Sequence, residues 1–532
     1  MTRRDFLLCA ASGLLLPSSA GCGGGGNVFG ISSRHHQGRP PYRPMSFTPP
    51  ITDSRLLLVC DPNGGTLYSD AGATTLANVG DNVLANKDAS SPSPVTAGKI
   101  GSLAGALTLQ QDSNNSKYLR GLTTSNISAA TGGGLQWAGL SIDQTNFCAV
   151  LLIRCNRVNK NVSDILCDVG GIASANSIQL TNSASQATTF NGSAFNTAAT
   201  LMTYDADWSV VILHCVSGQM TIYRDDEIST AITRTVGAAT GTTFSLLGRP
   251  AANLFCRADI GLALLYTGSI STSERNSIRD AAMSYADGLG WSRKPTSGQK
   301  AIVINGNSNA AAIVADITSL TWFQLVAAQL TTDGFTNFKV FNQSAASRQV
   351  THCDTLLSAG VYPLFDATTA RKIYLFMCGE NDLTVVTPAT TWSRTWNHLL
   401  SVKQHDASVK TILVVCLPRG DQGASNATYE TNRQTLISSI LADPTGATAA
   451  GQPVIDYLMH AGEDSVLGLA STFTTPNTSY VNADKTHLNN GGNSYLATGA
   501  MSVSNMTTVV ETALNAVGGS PFFYGLLTRM GS

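Results

Sequence analysis

The hydrophobic periodicity of this chain changes once, across the short polar joint 291–299 (WSRKPTSGQ). Before it, short alternating runs recur at Phe147–Ile153, Ser177–Leu180, Ser209–His214, Gln219–Tyr223 and Thr243–Leu247, separated by Gly, Asn, Asp and Ser turns. A period of two with such turns predicts antiparallel strands. After it, apolar strands alternate with helical stretches: strands at Lys300–Ile304, Phe338–Phe341, Arg371–Met377, Lys410–Leu417 and Pro453–Leu458. Helices are expected at Thr321–Leu330, Thr391–Val402 and Thr428–Ala442. That alternation predicts a parallel sheet covered on both faces. One chain therefore carries two architectures, an all-β part over 51–290 and an α/β part over 300–515, with 291–299 as linker and 516–532 as a tail. The length agrees, because 532 residues exceed the roughly 250–300 at which single cores stop growing.

Roughly a dozen strands in the first part suggest a two-sheet jelly-roll sandwich. It closes with the strand Ala258–Tyr266 and a helix running to about Asp287. Ser271 and Glu274 have the spacing of a capping box at that helix. A strand, a small-residue turn and a capped helix in that order resemble the close of a concanavalin-like, laminin-G-like jelly roll. That family often binds glycans on its concave face; a packing module without ligand is the alternative. Trp137 and Trp208 are the candidates to stack on a sugar, against a place in the core. The run Asp61–Gly65 reads as a turn, with calcium binding as the alternative.

The first 21 residues have the parts of an export signal: a basic start (Arg3-Arg4), an apolar stretch from Leu7 to Leu16 and a small-residue exit. The start resembles a twin-arginine signal. Ser19-Ala20-Gly21-Cys22 resembles a bacterial lipobox, which makes Cys22 the candidate lipid-attachment residue and the membrane surface a partner. The alternative is ordinary signal cleavage. Residues 22–50 read as a flexible tether. An exported, envelope-anchored or otherwise secreted or periplasmic protein is expected. No later apolar run approaches the roughly 20 residues that span a bilayer. A net charge of −1 offers no basic stripe for phosphates, so a nucleic-acid partner is not expected. Cys60, Cys155, Cys215, Cys378 and Cys416 each end an apolar run, the usual place of a buried thiol. No spacing of Cys or His suggests a metal.

Chemistry concentrates at the ends of the parallel strands. The first runs into Asn305-Gly306-Asn307-Ser308-Asn309 and the third into Cys378-Gly379-Glu380-Asn381-Asp382; Asp484-Lys485-Thr486-His487 precedes a helical stretch from Gly492. A serine, an Asp–x–x–His pair and an asparagine are the parts for acyl transfer. The hydroxyl attacks, the imidazole takes its proton, the carboxylate fixes the imidazole tautomer, and donors face the oxyanion. Carboxyl ends of parallel strands are where such groups gather.

Across roughly 300–510 these blocks resemble the SGNH (GDSL-like) hydrolase family. Ser308 matches its nucleophile, Asn381 the Asn of its GxND block, and Asp484 and His487 its DxxH block. Gly-Asn-Ser-Asn with Gly-Glu-Asn-Asp is also similar to sialate O-acetylesterase and acetylxylan esterase relatives. The resemblance implies a three-layer, flavodoxin-like α/β fold and a serine esterase without cofactor. Its substrate would be an acylated, most simply acetylated, carbohydrate. The oxyanion donors implied are the N–H groups of Ser308 and Ser347 and the side-chain amide of Asn381. Ser347 stands where the family has a Gly, and serine disfavours the positive φ a glycine can adopt. Glu380 is an accessory acid candidate, against a solvated loop carboxylate. His352, His398, His405 and His460 are expected to be structural, and neither Arg348 nor Arg419 is expected to touch substrate. Two rival readings remain open: a glycan-binding protein with a silent hydrolase domain, which the missing Gly at position 347 favours, and a lipid esterase or thioesterase.

Overall fold

The computed structural model describes residues 46–516, apart from 88–95, 101–106, 113–114, 122–132, 156–163, 171–177, 184–185, 191–194, 197–207, 226, 230, 235–239, 250–253, 256–257, 292, 316–317, 423–427, 469–475 and 503. The expected signal, Cys22, most of the tether and the tail lie outside the described residues.

Two nine-stranded antiparallel sheets form the first part. One is centred on Phe147–Cys155, Trp208–Val216 and Ala258–Thr267, the other on Asp164–Val169, Thr240–Leu246 and Gly134–Asp143. Their facing side chains make one core, including Leu151, Ile153, Val211 and Leu265 from the first and Leu135, Trp137, Ile142 and Phe244 from the second. The first sheet is buried on its other face as well. There Val150, Leu152, Val210, Ile212, Leu262 and Leu264 pack under α1 (Thr272–Gly288) through Ile278, Ala282 and Tyr285. Burial on both faces explains why Phe147–Cys155 reads as a continuous apolar run rather than an alternating one. Ser271 caps α1 in the expected capping box: its hydroxyl accepts from the Glu274 N–H and the Glu274 carboxylate from the Ser271 N–H.

The structure corrects one of these readings and decides several others. The 291–299 joint is not wholly polar, since Trp291 is buried and stacks on Trp208 with ring centroids 4.1 Å apart. A Cβ at Gly261 would run into the Trp291 ring, so the strand must carry glycine where that ring docks. Trp137 and Trp208 are both buried, so neither offers a face to a sugar. The Asp61 carboxylate is occupied by the Phe47 N–H, the Asn63 N–H and the Tyr285 hydroxyl, and it caps a one-turn helix. The eight described cysteines are free and buried.

The second part is a five-stranded parallel sheet: β1 (Lys300–Gly306), β2 (Phe338–Asn342), β3 (Lys372–Met377), β4 (Lys410–Val414) and β5 (Tyr457–Met459), in the order β2-β1-β3-β4-β5. Helices α2 (Trp322–Thr332), α5 (Asn490–Thr498) and α6 (Met506–Asn515) cover one face over Ile302, Ile304, Ile373 and Leu375. Helices α3 (Pro388–His405) and α4 (Tyr429–Ala442) cover the other over Ala301, Val303, Tyr374 and Phe376. Strand β5 starts later than the run from Pro453 suggests. Val454 and Ile455 are buried ahead of it without joining the sheet.

The order reverses between β1 and β3, because the chain leaves β1 toward β2 on one side and returns to β3 on the other. A crevice opens at such a switch point, outside the carboxyl ends of the strands.

Candidate active site

Ser308 lies two residues beyond β1, in a run of turns that follows Gly306. A Cβ at Gly306 would strike the Met377 carbonyl oxygen of β3, so only glycine lets the two strands stay paired there. The Asn307 side-chain oxygen accepts from the Asn309 N–H (3.0 Å), folding the turn, and its amide donates to the Glu380 carboxylate. Glu380 is 2% exposed, and its other oxygen accepts from the Leu417 N–H (3.2 Å). It is therefore not a solvated loop carboxylate. Burial pushes its carboxyl up from the ordinary range, against these hydrogen bonds. Its contacts are with the underside of the Ser308 turn, not with His487.

The loop 482–487 brings His487 to this turn. Lys485 takes a left-handed φ of +60°, and the reversal lets the Asp484 Oδ1 accept both the Thr486 and His487 N–H groups at 3.0 Å. Asp484 Oδ2 meets His487 Nδ1 at 2.9 Å, and His487 Nε2 meets Ser308 Oγ at 2.8 Å. Burial alone would raise the Asp484 carboxyl. The hydrogen bonds from His487, Asn482 and Thr486 outweigh it and hold the group well below the usual carboxylate range. Asn309 fastens the two loops together: its amide donates to the Thr486 carbonyl and accepts from the Leu488 N–H, both at 3.2 Å. Its own carbonyl is held by Trp322 Nε1 (3.0 Å).

Three candidate donors stand on residues that line the same cleft. The backbone N–H groups of Ser308 and Ser347 have no partner among the described residues. Ser347 keeps a positive φ of +61°, the conformation that a glycine would adopt without strain. The Asn381 amide Nδ2 donates to the Arg348 carbonyl (2.9 Å), leaving one N–H.

Ser308, Ser347, Asn381, Asp484 and His487 line one open cleft together with Ile313, Ala346, Arg419, Asp421 and Thr486. It holds about 500 Å³ of empty space, solvent at its mouth included. All ten lining residues belong to the α/β part. Arg419 lines the cleft with its guanidinium bonded to Asn381 Oδ1 (2.7 Å) and to both carboxylate oxygens of Asp421. Asp421 also accepts from the Thr486 hydroxyl (2.7 Å). Sequence reading missed Asp421, Thr486 and Asn309 as well; the one signal for Asn309 is its adjacency to Ser308. The Arg348 side chain turns away, to the Gln343 carbonyl. The four other α/β histidines sit outside the cleft: His398 between Tyr374 and Asp354, His405 on Asp366, His460 on Glu463, and His352 at a helix start. No cluster of metal-ligating side chains occurs among the described residues.

No protein-family model matches the chain, and no curated protein does. Among solved structures it is similar to a lipase/acylhydrolase from Enterococcus faecalis, at 17% identity over 40% of this chain and 95% of that one, with a TM-score of 0.29. An acylhydrolase from Bacteroides fragilis gives 15% identity over 43% and 94%, with a TM-score of 0.30. A sialidase from Trypanosoma rangeli gives 18% over 35% and 28%, with a TM-score of 0.26.

Proposed function

We propose that the chain is a serine esterase of the SGNH type that removes acyl groups, acetyl first among them, from a carbohydrate. One observation carries the reading: Asp484, His487 and Ser308 form an unbroken hydrogen-bonded line into the cleft that Ser347 also lines, where the Ser308 and Ser347 N–H groups have no partner among the described residues. The Ser308 oxygen attacks the ester carbonyl as His487 Nε2 takes its proton. The oxyanion is received by the Ser308 and Ser347 N–H groups and the second Asn381 N–H. His487 returns the proton to the departing alkoxide, and acyl-Ser308 remains. Water then attacks with His487 as base, releasing the acid and restoring the hydroxyl. Asp484 accepts the Nδ1–H throughout, fixing the tautomer and stabilising the imidazolium.

The short acyl group, acetyl first, rests on the family resemblance of the motifs. The carbohydrate acceptor rests on the family resemblance of the motifs and on the pairing with a β-sandwich, which we assign as a jelly roll. We further assign export and lipid attachment at Cys22 from the pattern of the first 22 residues. A silent hydrolase loses its main support, because Ser347 holds the backbone geometry whose loss would have argued for it.

Acetate release from an aryl acetate and from acetylated xylan tests the reading, with Ser308→Ala beside the parent. Hydrolysis should vanish in the variant while its thermal unfolding stays at the parent's temperature. A folded parent inert toward acetyl and longer-chain esters would refute it, and a preference for long chains would reassign it to lipid substrates.

A further inference from the structure

Asn381 has to present an N–H, not its oxygen, to a developing oxyanion, and an amide side chain can sit either way round. In this cleft Arg419, on one edge of the amide, and the Arg348 carbonyl, on the other, make the same choice. A guanidinium only donates, so the atom 2.7 Å from its Nη1 must be the Asn381 oxygen. The opposite edge, Nδ2, then faces the Arg348 carbonyl and the cleft. Arg419 is itself gripped along one edge by Asp421, through Nε at 3.1 Å and Nη2 at 2.6 Å, and Asp421 takes the Thr486 hydroxyl at 2.7 Å. The Gly420 N–H adds a backbone bond to the Lys485 carbonyl (2.8 Å).

We propose that Arg419 and Asp421 are positioning residues for the oxyanion amide, the middle of a hydrogen-bonded strap Thr486–Asp421–Arg419–Asn381–Arg348. The strap runs from the loop that carries the base to the loop that carries Ser347. It sets the orientation of Asn381, and the cation on the amide oxygen polarises the amide so that its N–H is a stronger donor. One end is one residue from His487 and the other one residue from Ser347, so the strap holds the proton acceptor and two oxyanion donors in register. This rests on the esterase reading of the same cleft.

A double-mutant cycle of Arg419→Ala and Asn381→Ala on aryl acetate hydrolysis tests it. An interaction made in the transition state lowers kcat and leaves KM. Removing one oxyanion donor costs about 100–1,000-fold in kcat, and we expect Asn381→Ala at the low end and Arg419→Ala about 30-fold down, with KM within about twofold. In the Asn381→Ala background, Arg419→Ala should cost less than about twofold more, since it acts through that amide. A full additive loss, or a loss in KM alone, overturns the inference. If Arg419→Ala does not fold, Asp421→Asn replaces it, with the same non-additivity expected. If the parent hydrolyses no ester but Ser308 reacts with a fluorophosphonate, the cycle is read on the labelling rate. A parent that does neither defeats the esterase reading and this inference with it, whereas additivity in an active parent defeats the strap alone.

Discussion

Ser347 is a residue under local strain whose relief can be measured. Its φ of +61° is left-handed, a conformation that costs an L-residue with a Cβ about 1–2 kcal/mol. The side chain is exposed, and its hydroxyl makes no hydrogen bond among the described residues. Ser347→Ala therefore removes the hydroxyl and keeps the strain, while Ser347→Gly removes both. The gain is reduced by the extra freedom of glycine in the unfolded chain, about 0.4–1 kcal/mol. Subtracting mid-range values leaves the glycine variant more stable than the alanine variant by about 0.8 kcal/mol. For a folding part of this size, 1 kcal/mol shifts the unfolding temperature by about 2–4 °C, so a difference of about 2 °C is expected by calorimetry. Urea unfolding of the two variants should give the same sign. A glycine variant less stable than the alanine variant would mean that residue 347 is not left-handed, and the comparison of its N–H with that of a glycine would fall.

Two further outcomes follow from the charges of the site. Asp484→Asn should lower kcat by about 10⁴-fold by presenting His487 with the wrong partner for its tautomer; wild-type kcat in a folded variant would remove the carboxylate from the mechanism. Burial raises the Glu380 carboxyl in the native state. Between its ordinary value and the raised one, the native chain holds a proton that the unfolded chain has released, so stability falls as pH rises through that window. Glu380→Gln has no such proton, and its unfolding free energy should lose that part of the slope; identical slopes in parent and variant would refute the burial argument.

The parts of the site that were legible in the sequence are those whose chemistry is written in local order. Ser308 stands at a glycine-bearing strand end, and Asp484 and His487 lie three residues apart, the distance at which one carboxylate can bind both the ring and the backbone of the same turn. The strands were legible because apolar runs buried on both faces interrupt the helical period sharply. Glu380 was misread because a polar cluster after a strand looks solvated in one dimension. Its burial comes from Asn307 and from the Leu417 N–H beyond β4, neighbours only once β1, β3 and β4 lie side by side. Trp291 was misread for a similar reason, since the ring that covers it is 83 residues earlier, at Trp208.

Arg419 and Asp421 were illegible for a deeper reason, which the strand order explains. Ser308 follows β1, Ser347 follows β2, Asn381 follows β3 and Arg419 follows β4. In the order β2-β1-β3-β4-β5 the strand leading to Ser308, the proposed nucleophile, is flanked by the two strands whose ends carry the other proposed oxyanion donors. That adjacency follows from the single reversal between β1 and β3. From the next strand outward, β4, the contact with an oxyanion candidate is made by a side chain long enough to cross the end of β3. Arg419 is such a side chain, and its contact there is with Asn381. A residue's distance from the switch point thus limits the part it can take: the first three strand ends can place groups against the reacting carbonyl, and the fourth acts on them from behind.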